Sequence, residues 1–419
     1  MYGLIGKNLS HSFSKEIHEN LHSETYNLIE LDHLDDFFKS KKFNGLNVTI
    51  PYKQEVIQYI DFCSNVVKET NSVNTIINKA GFLYGYNTDY SGLEFLLNYY
   101  EISIKNKTVL ILGNGATSRT VEVLCKNLGA QKIIKAARKP KHNEVLFSDS
   151  NKYKTANVVI NATPSGMYPN NYDELLIDLG QMNSLEAVVD LVYNPLETKL
   201  VSKAKSLNIL GVNGLMMLVS QAVQSCELFH NQTYKKEVII NIYKEILFNM
   251  MNIIIIGMPM SGKSFYARAL SKTFNKEITD IDEEIHHIEG ISIPTIFKTK
   301  GENEFRRIES EVIMNVSKEL RQAISTGGGS ILNAKNIDYL KQNGIIIFLD
   351  ASLEVLKGMN PRNRPLLKDF KNLETLYKDR HHLYVKYADI TIEKLVMDEN
   401  VVLNMIEVKI NEYINTKWS

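Results

Sequence analysis

Two segments of the chain share one grammar: an unbroken apolar run, a glycine loop, then polar and apolar positions spaced for a helix. The first is Thr108 to Leu112 ahead of Gly113, and the second is Asn252 to Ile256 ahead of Gly257. A run without alternation suits a parallel strand buried on both faces. Such a strand, feeding through glycines into a helix N-terminus, makes a place where phosphate groups bind. The pattern predicts an α/β chain with two nucleotide sites. Between Tyr234 and Met251 the period becomes helical, with Val238, Ile239, Ile242, Ile246 and Leu247 on one apolar face, and it then switches abruptly to the Asn252 strand. Met250 and Met251 mark the switch, where a gene fusion would leave a methionine, although methionine also fills cores.

The 419 residues are 44% hydrophobic and 23% charged, which suits two or three globular domains at about 150 residues each. With 48 basic against 48 acidic residues, the electrostatic case for a nucleic-acid binder is removed. Cys63, Cys125 and Cys226 lie far apart and suggest neither a disulfide framework nor a zinc knuckle; they read as isolated core thiols. No apolar run reaches about 18 residues, and the opening MYGLIGKNLSHS lacks a basic lead followed by a long apolar stretch. The expectation is a cytoplasmic protein that meets no membrane. His286-His287 and His381-His382 lack carboxylates at ligand spacing and read as solvated helix faces.

In the first half, Gly113-Asn-Gly115-Ala116-Thr-Ser118 fits a dinucleotide-binding loop. Gly113 would permit the tight turn and Gly115 the approach of a pyrophosphate, while Ser118 stands where the fingerprint ends in Gly or Ala. The next strand, Lys132 to Ala137, ends without an acidic residue for a ribose 2′-hydroxyl and offers Arg138 and Lys139 instead, which favours NADP over NAD. Polar clusters precede this region: Ser10-His-Ser12-Phe-Ser14, Asn47-Val-Thr49-Ile-Pro51-Tyr-Lys53, and Val73-Asn74-Thr75 with Asn87-Thr88-Asp89.

In their order and spacing, together with the glycine loop, these clusters resemble shikimate dehydrogenase across residues 1 to 249. Asn161-Ala-Thr-Pro-Ser-Gly166-Met, Asp190-Leu-Val-Tyr193-Asn-Pro195 and Gly214-Leu-Met-Met217-Leu-Val-Ser-Gln221 extend the likeness. The resemblance implies a substrate domain at 1–100 completed by 214–249, and a Rossmann NADP domain at 101–213. It implies that Ser12 and Ser14 hold a substrate carboxylate, with Thr49, Asn74, Asp89, Tyr193 and Gln221 around the ring hydroxyls. Lys53 and Asp89 become the catalytic pair, and Gly214 and Met217 border the cofactor with Gly113, Gly115, Ala116, Arg138 and Lys139. Hydride delivery to the C3 carbonyl of 3-dehydroshikimate builds negative charge on oxygen, which an adjacent ammonium stabilises and protonates. Ala116 and Met216 depart from glycines usual in the family.

In the second half, Gly257-Met-Pro-Met-Ser261-Gly262-Lys263-Ser264 is a complete P-loop directly after a strand. Its backbone amides would cradle phosphates, Lys263 would reach the β and γ groups, and the Ser264 hydroxyl would bind Mg²⁺. Asp280-Ile-Asp282, Gly301-Glu-Asn-Glu-Phe305-Arg306-Arg-Ile-Glu309, Gly327-Gly328-Gly329, Arg364-Pro-Leu-Leu and Arg380 follow. In that order they resemble shikimate kinase, a P-loop NMP-kinase-like α/β domain with a parallel sheet, here at 252–419.

This second resemblance implies that Asp282 contacts the acceptor hydroxyl and that Asp280 joins Ser264 in supporting Mg²⁺. Arg306 and Arg380 would fork the shikimate carboxylate, Gly327 to Gly329 would let backbone approach the ring, and Glu309 would orient Arg306. Arg364 would act on the transferring phosphate from a lid near 360–368, and Lys357 stands where relatives have an arginine near adenine. Together the two likenesses imply a bifunctional enzyme using NADPH, ATP and Mg²⁺. It would reduce 3-dehydroshikimate to shikimate and phosphorylate shikimate at its 3-hydroxyl.

Overall fold

A computed structural model of the chain describes residues 1–9, 12–358, 370–394 and 398–417. The chain divides into two compact units, Met1–Ile246 and Leu247–Ser419.

The first unit contains two sheets. The strands of the first are β1 (Tyr2–Gly6), β2 (Tyr26–Glu30), β3 (Gly45–Val48), β4 (Phe62–Cys63), β5 (Thr75–Lys79) and β6 (Phe82–Tyr86), in the order β2-β1-β3-β5-β6-β4. β1 pairs in parallel with β2 and β3, whereas β5 is antiparallel to both β3 and β6. Helices Ser14–Leu21 and Thr88–Tyr99 both pack on helix Leu215–His230, so residues after position 214 complete the first layer.

The second sheet is wholly parallel. It comprises β7 (Thr108–Leu112), β8 (Lys132–Ala137), β9 (Val145–Leu146), β10 (Val158–Asn161), β11 (Ala187–Asp190) and β12 (Leu210–Asn213), in the order β12-β11-β10-β7-β8-β9. From β7 the chain runs outward through β8 and then returns to β10 on the other side, so a switch point opens beyond the carboxyl ends of β7 and β10, where such folds bind ligands. Both strands are core: Val109, Leu110, Ile111, Val159 and Ile160 are all fully buried.

The second unit is built on five parallel strands: β13 (Asn252–Gly257), β14 (Glu277–Asp280), β15 (Gln322–Ser325), β16 (Gly344–Ala351) and β17 (Ile390–Lys394), in the order β14-β15-β13-β16-β17. Ile253 to Ile256 of the central strand are fully buried, as a run without alternation requires of a strand covered on both faces. Helix Lys236–Met250 ends just before β13. The buried Lys276 closes that end, donating to the carbonyls of Phe248 and Met251, each at 2.7 Å. A cation suits the carbonyl end of a helix dipole, but desolvation with the nearby Arg321 charge pushes the Lys276 ammonium down to about 7.

Candidate active sites

In the first unit, the chain leaving β3 passes Thr49 and reaches Lys53, whose Nζ lies 2.6 Å from Oδ2 of Asp89 in the first turn of helix Thr88–Tyr99. Both side chains are largely shielded. Asn74 Nδ2 donates to Asp89 Oδ1 at 2.9 Å and lies 3.4 Å from Gln221 Oε1, while Asn74 Oδ1 accepts from the Thr88 backbone at 2.7 Å. One amide thus spans the start of one helix and the side chain of another. Asp89 and Gln221 are held in register because their helices meet at Gly92, where an added Cβ would stand 2.9 Å from the Met217 carbonyl and from Gln221 Cβ.

Behind this group lies a network that motif reading missed. Asn47 Nδ2 donates to Ser225 Oγ at 2.8 Å, Thr75 Oγ1 lies 2.8 Å from the same hydroxyl, and Tyr26 donates to Asn47 Oδ1 at 2.7 Å. Asn47 and Thr75 stood within the polar clusters, but nothing local marks Tyr26 or Ser225.

Ser12 accepts from the Ser14 backbone at 3.2 Å where helix Ser14–Leu21 begins. Phe13 between them meets the Tyr193 ring edge-on at 6.3 Å, which ties this turn to the loop after β11. Burial pushes the Tyr193 hydroxyl above the usual phenol range. Thr49 overlies Gly6, where an added Cβ would meet its Cγ2 at 2.6 Å. The carboxyl ends of β1 and β3 therefore carry the Ser12–Ser14 turn and the Thr49–Lys53 segment side by side.

At the switch point of the second sheet, Gly113 has φ +111 and an added Cβ would meet Thr163 Cγ2 at 3.0 Å, so both conformation and space call for glycine. Gly115 heads helix Ala116–Asn127 and faces open space, leaving room for a diphosphate at a helix N-terminus. Ser118 is buried with its hydroxyl turned onto the Gly113 carbonyl at 2.6 Å, bracing the loop from within. Arg138 and Lys139 are exposed just past β8 and form no ion pair among the described residues. Gly214 cannot be larger, since an added Cβ would lie 2.2 Å from the Leu191 carbonyl; Met217 is buried in the first turn of helix Leu215–His230. Asp190 accepts from Asn161, Thr198 and the Val192 backbone at 2.8, 2.6 and 3.1 Å. Burial, offset by these bonds, pushes its carboxyl up to about 6.

In the second unit, the residues singled out gather at the carboxyl edge of the sheet. Gly257 and Gly262 have φ +153 and +92, conformations that side chains rarely adopt, and helix Lys263–Thr273 starts directly after them. Lys263 Nζ donates to the carbonyls of Gly257 and Met258 at 3.1 and 3.0 Å. Ser264 donates to Asp280 Oδ2 at 2.5 Å, while Asp280 Oδ1 accepts from the Asp282 backbone at 3.0 Å and starts helix Ile281–Glu289. Ser264 and Asp280 form a compact oxygen set, which suits a hard cation such as Mg²⁺. The Ser261 hydroxyl is buried without a hydrogen-bond partner among the described residues, and an added Cβ at Gly257 would stand 3.0 Å from it.

The glycine triplet after β15 is a contact surface. An added Cβ at Gly327 would lie 2.6 Å from Glu309 Oε1 and 3.2 Å from Asp282 Oδ1, one at Gly328 would strike Pro259 at 2.9 Å, and one at Gly329 would stand 2.3 to 2.5 Å from the Arg306 guanidinium. Arg306 donates to Glu309 at 2.7 Å, and its Nε is buried with no hydrogen-bond partner among the described residues. Arg380, also buried, donates to the Gly328 carbonyl at 3.0 Å beside Tyr384, which donates to the same oxygen at 2.5 Å. Burial raises the Glu309 carboxyl despite the Arg306 charge, and Ser330 donates to it at 2.6 Å. Ser330 was not singled out, though it directly follows the triplet.

Arg364 and the lid near 360–368 lie outside the described residues. Lys357 is paired with Glu374 at 2.5 Å. His381 corrects the sequence reading: it is half-buried, 3.0 Å from Asp350 and stacked on Tyr377, because a strand 31 residues earlier supplies the carboxylate that local spacing lacked. Cys63, read as a core thiol, is only partly buried; all three cysteines are free. Among the described residues, no helix is long and apolar enough to cross a membrane.

Comparison with known proteins bears on both units. A model of the shikimate dehydrogenase substrate binding domain matches residues 4–76, and a model of shikimate kinase matches residues 259–409. The NADP(+) shikimate dehydrogenase of Clostridium beijerinckii is 37% identical over 246 residues, 54% of this chain and 91% of that protein. A chorismate mutase/shikimate 5-dehydrogenase fusion protein from Clostridium acetobutylicum has a crystal structure similar to the chain at TM-score 0.55. It is 33% identical, with 58% of this chain and 96% of that one covered. The quinate dehydrogenase of Corynebacterium glutamicum, solved in complex with NAD, is 26% identical at TM-score 0.53, covering 59% and 98%.

Proposed function

The chain belongs to the shikimate dehydrogenase family through its first half and carries a shikimate kinase domain in its second, and from that premise we propose that it runs two consecutive steps. The first is NADPH-dependent reduction of 3-dehydroshikimate to shikimate, and the second is ATP-dependent phosphorylation of shikimate at its 3-hydroxyl. Residues 1–100 with 214–249 take the acid, 101–213 the dinucleotide, and 252–419 perform the phosphorylation. The observation that carries this reading is that one chain holds both the Lys53–Asp89 pair and an Arg306–Arg380 cluster beside a P-loop.

In the reduction, NADPH supplies the hydride to the carbonyl carbon. Lys53 gives the proton to the carbonyl oxygen as charge develops there, and Asp89, fixed by Asn74, aims the ammonium. Ser12 and Ser14 bind the carboxylate, with Thr49, Tyr193 and Gln221 on the ring hydroxyls. Gly113, Gly115 and Ala116 would receive the diphosphate, Gly214 and Met217 would border the cofactor, and Arg138 and Lys139, unpaired among the described residues, favour a 2′-phosphate over the bare hydroxyl of NAD.

In the phosphorylation, ATP with Mg²⁺ supplies the phosphoryl group. Gly257, Ser261 and Gly262 shape the loop that receives the phosphates, Lys263 neutralises them, and Ser264 and Asp280 offer oxygens to the cation. Asp282 accepts the proton of the attacking hydroxyl. Arg306, whose Nε lacks a partner among the described residues, and Arg380 bind the carboxylate, and Gly327, Gly328 and Gly329 let the ring approach backbone. Arg364 is assigned to the transferring phosphate by motif alone.

Single-site variants test the pairing of the two reactions. Lys53→Ala is expected to abolish dehydrogenase turnover and leave kinase turnover intact, and Asp282→Asn to do the reverse. Loss of both activities in either variant would overturn this division of labour.

A further inference from the structure

Three side chains of the first unit converge in a place that neither reaction uses. His22 follows helix Ser14–Leu21 as its C-cap, Glu24 lies two residues on, and His230 is the last residue of helix Leu215–His230. The imidazoles of His22 and His230 stack at 3.7 Å with only 4° between their planes. One donor atom from each of the three residues lies within 4.8 Å of the others. Nδ1 of His22 is buried and has no hydrogen-bond partner among the described residues.

The electrostatics of this corner favour a cation. Both histidines stand at carbonyl ends of helices, which carry partial negative charge, and Glu24 adds a full one. The donor set selects among cations. Mg²⁺ and Ca²⁺ take oxygen ligands, whereas two imidazoles with one carboxylate suit zinc and its neighbours. Metal–nitrogen bonds of about 2.1 Å keep two ligands on one ion within about 4.2 Å of each other. To bind one ion the two imidazoles must turn out of their parallel stack so that both in-plane lone pairs converge, and the donor atoms must draw in by about half an ångström, with the exposed Glu24 free to follow.

We propose that His22, Glu24 and His230 hold a divalent transition-metal ion of the zinc class. The ion needs no part in either reaction. It cross-links the ends of two helices, one starting at Ser14 and the other carrying Gln221, each about 12–14 Å away along its helix axis. Its role is that of a clamp on the layer that frames the Lys53 site.

The test uses the full chain without a polyhistidine tag, stripped by chelator and titrated with Zn²⁺, and separately with Co²⁺ for its visible absorption. One saturable site at micromolar concentration or below is expected, undisturbed by millimolar Mg²⁺. At a hundredfold excess over Kd, the melting temperature should rise by roughly 5 °C. His22→Gln and His230→Gln should each weaken uptake at least a hundredfold, and Glu24→Gln at least tenfold. If a histidine variant melts early without metal, the exposed Glu24→Gln decides alone. Absence of saturable uptake by the unaltered chain, or uptake unchanged in these variants, would overturn the site.

Discussion

Lys53 and Asp89 are 36 residues apart in the chain and 2.6 Å apart in the structure, joined across the carboxyl end of β3 and the first turn of helix Thr88–Tyr99. Groups that act as one unit lose their effect together rather than separately. Lys53→Met should lower dehydrogenase kcat by about 10²–10⁴-fold, and Asp89→Asn should lower it substantially. The double variant should be about as slow as the worse single one. Steady-state kinetics of the three proteins checks this, and multiplicative losses would mean that the two side chains act independently.

Gly329→Ala separates binding from folding. The added methyl would press on the Arg306 guanidinium, the far end of a flexible side chain that can move aside. Stability should therefore change by less than about 1 kcal/mol, while displacement of Arg306 raises the kinase KM for shikimate about tenfold or more. Dehydrogenase kinetics should be untouched. An unchanged kinase KM would remove Arg306 from the carboxylate site.

The two unpaired cations after β8 give a cofactor prediction. Arg138→Ala removes a charge-assisted contact worth about 1.5–3 kcal/mol, so the NADPH KM should rise roughly 10–100-fold with far less effect on the NADH KM. Equal effects on both cofactors would defeat the assignment of Arg138 to a 2′-phosphate.

Lys276 ties pH to the stability of the second unit. Its folded ammonium titrates near 7 against 10.5 ordinarily. Between those values the unfolded chain binds the extra proton, so stability from this group rises with pH across that window and is flat below it. Compared with Lys276→Met, the unaltered chain should gain stability by a few kcal/mol from pH 7 to pH 9.5. Urea unfolding of the two proteins at both pH values measures the difference, and parallel pH dependences would rule out the buried ammonium as its source.

What could be read from the sequence follows the range over which each feature is encoded. Strands β7 and β13 were legible because parallel core strands are nearly continuous apolar runs, and the P-loop because eight adjacent residues specify it. The support of Asn74 was not, since Asn47 and Ser225 meet across 178 positions of chain. His22 and His230 escaped for the same reason, and His381 was misread because Asp350 sits on a different element. Ser118 looked like a flaw in the glycine loop. Its hydroxyl braces Gly113 from inside, a direction that letter patterns do not carry.

Both activities are read together in a one-pot assay of the purified chain with 3-dehydroshikimate, NADPH, ATP and Mg²⁺. NADPH consumption is followed while shikimate is resolved from shikimate 3-phosphate. NADPH loss accompanied by shikimate 3-phosphate is the predicted result. Shikimate that accumulates unphosphorylated, or phosphate that forms only when shikimate is supplied, would contradict the claim that both sites turn over in one chain.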